Sequence, residues 1–192
     1  MRRFWTMLAH RHAQIWNASE FSRSFGVSDV TVRRYLDLLT SALVLRQLQP
    51  WFANVSKRQV KSPKVYLRDS GLLHALLNLE HKNDLESHPK LGASWEGFLV
   101  DQVATHYGLG DDQLHFWATH SGAELDLLFQ SGRKRIGFEF KRTSSPILTR
   151  SMRSAMEALG LHELHVLHAG RQMFPLARNV RAVATARLTK DL

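Results

Sequence analysis

The sequence predicts an α/β protein in two parts: a winged helix-turn-helix over residues 1–70, a connector helix and linker over 71–90, then a mixed sheet flanked by helices over 91–192. Three observations carry that reading. Two short helical patterns in the first third are separated by Gly26-Val27, with a helix-capping serine at Ser28. Two apolar runs, the strand-like Leu125 to Phe129 and the alternating Ile136 to Phe140, flank the turn signal Ser131-Gly132. The charge is unevenly spread: residues 1–70 hold 12 Lys+Arg against 4 Asp+Glu, a net +8 out of the chain's +9, while 71–192 hold 14 against 13.

Taken in order, Ser19 to Phe25 reads as the first helix of the helix-turn-helix, and Ser28 opens a second helix running to about Thr40. Val32, Tyr35, Leu36 and Leu39 recur at helical spacing and form its inward stripe. Thr31, Arg33 or Arg34, and Asp37 then face solvent, on the helix that such a module lays in a major groove. Leu43-Val44-Leu45 with Gln47-Leu48 reads as the first wing strand, Asn54 to Arg58 as the wing tip, and Val65-Tyr66-Leu67 as the returning strand. The concentrated cations favour a polyanion through counterion release from phosphates, so Thr31, Arg33, Arg34, Lys57 and Arg58 are the candidate DNA-binding residues. A basic face serving solubility, or a winged helix that docks a protein, is the alternative.

Glu80 to Lys90, rich in charge and histidine and closed by Pro89, is the expected linker. Beyond it Trp95 to Val103 reads as an amphipathic helix, with Trp95, Phe98, Leu99, Val103 and Tyr107 inward and Glu96 adjoining that stripe. Strands follow near Leu114 to Thr119 and in the two apolar runs, and Leu164 to His168 is strand-like.

The chemistry concentrates in Glu124-Leu125-Asp126 and Glu139-Phe140-Lys141. Side chains alternate along a strand, so Glu139 and Lys141 share one face, and Asp126, opposite Glu139 in such a hairpin, brings its carboxylate to the same place. Two carboxylates suit one hard cation, Mg²⁺ or Mn²⁺, whose preferred ligands are oxygens. Lys141 beside it would orient or help deprotonate a water and offset phosphate charge, giving a nuclease. Glu96 supplies a third acid if it points over the sheet; otherwise it is a first-turn carboxylate favoured by the helix dipole. The competing reading of the hairpin is an acid and a lysine on a solvated strand face.

This order of elements resembles the core of the PD-(D/E)XK nuclease superfamily, with Glu96 at the acid of its first helix, Asp126 at its metal-binding aspartate and Glu139-Phe140-Lys141 at its E-x-K strand. The resemblance implies Ile147 to Leu159 as the next helix, and a metal held by Asp126, Glu139 and the Phe140 carbonyl with help from Glu96. A second resemblance rests on Gly26 to Leu36, Asn54 to Arg58, Lys61 to Tyr66, Asp69 to Leu72 and Trp95 to Val100. These segments resemble the C-terminal half of a family of prokaryotic AAA-type ATPases, in which a P-loop module precedes a winged helix and a domain with a PD-(D/E)XK-like core. A P-loop needs G-x-x-x-x-G-K-[ST], and the pairs Gly92/Gly97 and Gly132/Gly137 are followed by Phe98 and Phe138, so no nucleotide site is expected and a separate ATPase module is a possible partner.

The absence of cysteine removes disulfides and thiolate zinc sites and fits a reducing cytoplasm. The apolar run Phe4 to Ala9 is too short for a signal or a membrane span. His162, His165 and His168 fall on both faces of their strand, so no zinc triad is expected, while His10 and His12 read as a solvated helix face. Trp5, Trp16, Trp51 and Trp117 read as core or interface anchors, and Ser144 and Ser145 lack a partner that would make a nucleophile. The expectation is a cytoplasmic DNA-binding protein with a metal-dependent nuclease domain, with a homo-oligomer left open. The alternatives are a non-catalytic DNA-binding or docking module of an ATPase, and a regulator whose second domain only dimerises.

Overall fold

The structure, a computed structural model, describes residues 2–52 and 60–192. By contacts the chain divides into two units, one of Met1–Leu48 with Ser62–Asp101 and the other of Gln49–Lys61 with Gln102–Leu192. Together the described residues form a mixed α/β protein whose sheet contains both parallel and antiparallel pairs.

In the first unit, α1 (Arg2–His10) buries Phe4, Leu8 and Ala9, so the short apolar run is an amphipathic helix. Helix α2 (Ala18–Phe25) opens on Asn17, whose side chain accepts the Glu20 N–H, and closes on Gly26 at φ 64°, a conformation that costs glycine nothing. Ser28 caps α3 (Asp29–Ser41) by accepting the Thr31 N–H. Of the expected inward stripe, Val32, Leu36 and Leu39 are buried, while Tyr35 is 38% exposed and meets Phe4 edge-on at the rim. Phe4, Phe21 and Phe25 join these residues in one aromatic core.

Leu43 adopts φ 59° just after α3, which ends the helix and delays the next strand, β2 (Leu45–Pro50), relative to the expected start at Leu43. Within this unit β3 (Lys64–Leu67) pairs antiparallel with β2 and with the two-residue β1 (Gln14–Ile15). The wing tip with Lys57 and Arg58 lies outside the described residues. Asp69 caps α4 (Ser70–Leu76), and α5 (Lys82–Ser87) falls inside the expected linker. Helix α6 (Leu91–Tyr107) is longer than its sequence signal and buries Leu99, Val100, Val103 and Ala104. Phe98, expected inward, is 42% exposed, because the buried stripe is rotated toward the smaller side chains.

The second unit has strand order β4-β5-β6-β7-β9-β8: β4 (His115–Ala118), β5 (Glu124–Ser131) and β6 (Lys134–Lys141) form an antiparallel meander, and β7 (Glu163–His168) runs parallel to β6. Strand β9 (Val180–Ala184) is parallel to β7, and β8 (Phe174–Ala177) is an antiparallel edge. Gln49 and Pro50 pair parallel with His115 and Phe116 at the other side.

Helix α7 (Arg150–Leu159) crosses over between β6 and β7. It starts at Arg150 because Thr149 is extended and caps it, leaving Ile147 and Leu148 outside the helix. Its Met152, Ala155 and Leu159 pack on Trp117, Leu125, Leu128, Leu164 and Val166, each large side chain contributing roughly 2 kcal/mol by burial. Tyr107, Phe129, Phe138 and His165 form a ring-on-ring cluster that includes side chains on the opposite face of β5 and β6. A short helix, α8 (Leu188–Asp191), closes the chain.

Candidate functional site

Strands β5 and β6 bring the hairpin candidates together. Their register runs from Ser131↔Lys134 to Leu127↔Phe138, so Asp126 and Glu139 stand next in line on adjacent strands. Against β4, however, β5 carries an extra residue: His115 pairs with Leu128 but Trp117 with Leu125. Asp126 therefore sits in a bulge, a device that re-aims a side chain. Its Oδ2 accepts the Phe140 N–H at 2.8 Å, crossing to the E-x-K strand. There Lys141 Nζ donates to Glu139 Oε1 at 2.6 Å, as their shared face requires. Asp126 and Glu139 are 8% and 5% exposed, whereas the Lys141 side chain is 40% exposed, so the acids lie under a lysine that reaches solvent.

Two loops are tied together at this end of the sheet. Lys141 is in register with His168 on β7, and both strands end there in parallel. His168 Nδ1 accepts the Gly170 N–H and its Nε2 lies 3.0 Å from the Gln172 carbonyl, which makes Nε2 the protonated nitrogen of a neutral ring. Ala169 N–H donates to the Thr143 carbonyl, and a Cβ on Gly170 would lie 2.6 Å from the Ser144 carbonyl, so only glycine lets the loops meet. Arg142 and Arg171 are exposed on the two loops. Ser151 of α7 donates to the Glu124 carbonyl and accepts the Glu124 N–H, fixing the start of β5 just before Asp126. Neither His168 nor Ser151 had a sequence signal as a positioning group; the small spacing His168-x-Gly170 was the one trace of the loop.

Glu96 belongs to the first unit. Its Oε1 accepts from Tyr66 Oη at 2.6 Å and from Lys64 Nζ at 3.0 Å, and Lys64 is 4% exposed. One turn on, Asp101 pairs with Arg46 at 2.7 Å, so two acids of α6 meet two largely buried cations of β2 and β3. His12, expected on a solvated face, is instead 2% exposed: its Nδ1 accepts the Leu67 N–H and its ring packs against Gly97, where a Cβ would come within 2.4 Å. Burial holds His12 down to about 4.

On α3, Arg33 and Arg34 are exposed, and Thr31 is half-buried with its hydroxyl 2.9 Å from that of Ser28. Val30 and Leu38 share the outward side at 60% and 62% exposure. His165 and His168 lie on opposite faces of β7; burial pushes His165 down to about 4, with Glu163 3.4 Å from its Nε2. Among the described residues no three His, Cys, Asp or Glu side chains gather as a metal-binding group, and no helix is long and apolar enough to cross a membrane.

The class these features define is a mixed α/β protein carrying an acid–acid–lysine constellation at one end of its sheet. Residues 91–188, just over half of the chain, match the family described as Domain of unknown function (DUF4143), and the chain belongs to that family. Residues 1–83 match a second one, Domain of unknown function (DUF8612). The uncharacterized proteins Rv2008c of Mycobacterium tuberculosis and Mb2031c of Mycobacterium bovis are each 52% identical to it over 183 residues, covering 95% of this chain and 41% of theirs. The chain thus spans about two fifths of the length of the curated relatives it matches. No solved structure matches it.

Proposed function

We propose that the second unit is a PD-(D/E)XK-type nuclease domain that hydrolyses phosphodiester bonds, and that the first is a winged helix that holds DNA. The observation that carries the nuclease reading is the Asp126–Phe140 hydrogen bond, which fixes a buried carboxylate of β5 against β6, the strand that bears the Glu139–Lys141 pair. The donor set fits a hard cation: two buried carboxylates on adjacent strands offer oxygen ligands. Mg²⁺ keeps several of its own waters, so two acidic side chains suffice to hold it. Asp126 and Glu139, with the Phe140 carbonyl, would hold it. When bound, such a cation lowers the pKa of a bound water and polarises the phosphoryl oxygen.

The chain's own residues do the rest. Lys141, held by Glu139 yet open to solvent, positions the attacking water and faces the phosphate charge. Arg142 and Arg171, on loops that His168 and Gly170 hold together, offer guanidinium groups to the neighbouring phosphates of the strand. Glu96 enters this reading as a structural carboxylate, because Lys64 and Tyr66 both engage its Oε1.

The test is cleavage of supercoiled and linear DNA with Mg²⁺ or Mn²⁺ beside a calorimetric metal titration. Glu139→Gln and Asp126→Asn should lose both metal binding and cleavage, and Lys141→Ala should bind metal without turnover. Absence of metal binding by the unaltered chain, or cleavage surviving in Glu139→Gln, refutes the proposal. For the first unit, exposed Val30 and Leu38 beside Arg33 and Arg34 favour a second reading, in which α3 docks a partner protein such as an ATPase module.

A further inference from the structure

A groove of about 430 Å³ lies in the second unit along α7 and the β8–β9 hairpin. Leu148, Met156, Ala177 and Val180 supply its apolar lining, and Arg153, Arg178 and Glu157 its charges. These three charged side chains are exposed, and none makes a hydrogen bond or ion pair with another described residue. Arg178 stands in the two-residue turn of the hairpin, whose second residue, Asn179, is at φ 61°, so the guanidinium is carried on a defined backbone.

We propose that this groove binds a short acidic segment of a partner protein, an aliphatic side chain entering the apolar lining while a neighbouring carboxylate meets Arg153 and Arg178. The charges select the occupant: two unpaired guanidinium groups against one carboxylate leave the site net positive, and guanidinium forks match carboxylates. The apolar surface selects a chain over a small molecule. It runs on from Leu148 to Ile147, which is 75% exposed, so the contact is longer than the groove itself. Met156 is the adaptable residue such a lining needs. Recognition works through side chains and not by strand addition, because the adjacent edge strand β8 carries Pro175 and a break in register between Pro175 and Ala177.

The experiment measures fluorescence anisotropy of a labelled Asp-Leu-Leu-Asp peptide with the full chain, beside counterparts carrying lysines for the acids or alanines for the leucines. Binding should need both features. The Arg153→Glu/Arg178→Glu variant should weaken it by at least about tenfold, the expected worth of one charge-assisted contact, and Met156→Ala should weaken it with the charges intact. Both sites are on the surface or half-buried, and circular dichroism checks that each variant keeps its fold. No binding at millimolar peptide, equal binding of the lysine peptide, or equal affinity in the charge-reversed variant overturns the proposal. Sedimentation showing self-association that the same variant abolishes would assign the groove to a second copy of the chain and also overturn it.

Discussion

Replacing Glu96 by glutamine and by alanine separates its charge from its hydrogen bonding and tests whether it belongs to the fold or to a catalytic site. The Lys64 side chain is 5% exposed and that of Glu96 18%, so their contact at 3.0 Å is largely desolvated. Breaking a buried pair costs about 3–5 kcal/mol, and the partial opening of Glu96 lowers the expectation to about 2–3 kcal/mol for Glu96→Gln. Glutamine still accepts from Tyr66; alanine does not, which adds about 1 kcal/mol. At roughly 2–4 °C per kcal/mol for a chain of this size, Glu96→Gln should lower Tm by roughly 5–10 °C and Glu96→Ala by more. Combining Glu96→Met with Lys64→Met should recover most of the loss, since two apolar side chains no longer face an unbalanced charge. Thermal melts and urea titrations of all variants at pH 7 supply the comparison. A Glu96→Ala protein melting within about 2 °C of the unaltered chain, or a double variant no better than Glu96→Met alone, would refute the structural role.

Acid should destabilise both units. His12 and His165 have folded values of about 4 against an ordinary 6.5, so the unfolded chain binds their protons first. Stability is therefore full above pH 6.5 and is lost as pH falls toward 4, by about 2 kcal/mol per histidine between pH 7 and pH 5. Urea titrations should show that slope flattened in His12→Leu and in His165→Phe. Gly97→Ala, which puts a Cβ 2.4 Å from His12 Nε2, should cost about 1–3 kcal/mol by melting, whereas Gly92→Ala in the same helix, with nothing within 4 Å, should cost none. If α3 holds DNA, Arg33→Ala with Arg34→Ala should weaken duplex binding without changing sequence preference and reduce its salt slope; unchanged binding in a mobility-shift titration points instead to protein docking.

Much of the local structure was legible because periodicity and capping are local signals. Ser28, Gly26 and the alternation of Ile136, Phe138 and Phe140 each specify an element from its own residues. The neighbourhood of Asp126 and the E-x-K strand follows from a hairpin that turns at Gly132-Arg133, one residue beyond the Ser131-Gly132 signal. What the sequence concealed is non-local. His12 looks solvated beside His10 and Arg11, and only its placement against Gly97, 85 residues away, makes it a core group. Lys64 and Tyr66 gave no sign that they share a carboxylate with α6. The β8–β9 hairpin escaped because Pro175 and a short, half-exposed strand carry little alternation.

The Asp126–Phe140 bond bears on how this fold can change over time. A carboxamide at position 126 accepts the same N–H, so the strand pairing does not depend on the charge that a cation would. If Asp126 holds a cation as proposed, a change from aspartate to asparagine keeps this strand contact while weakening the metal site. Under the proposed function, chains that share this backbone can differ in what they do, and the identities at 126 and 139 sort them where shape does not.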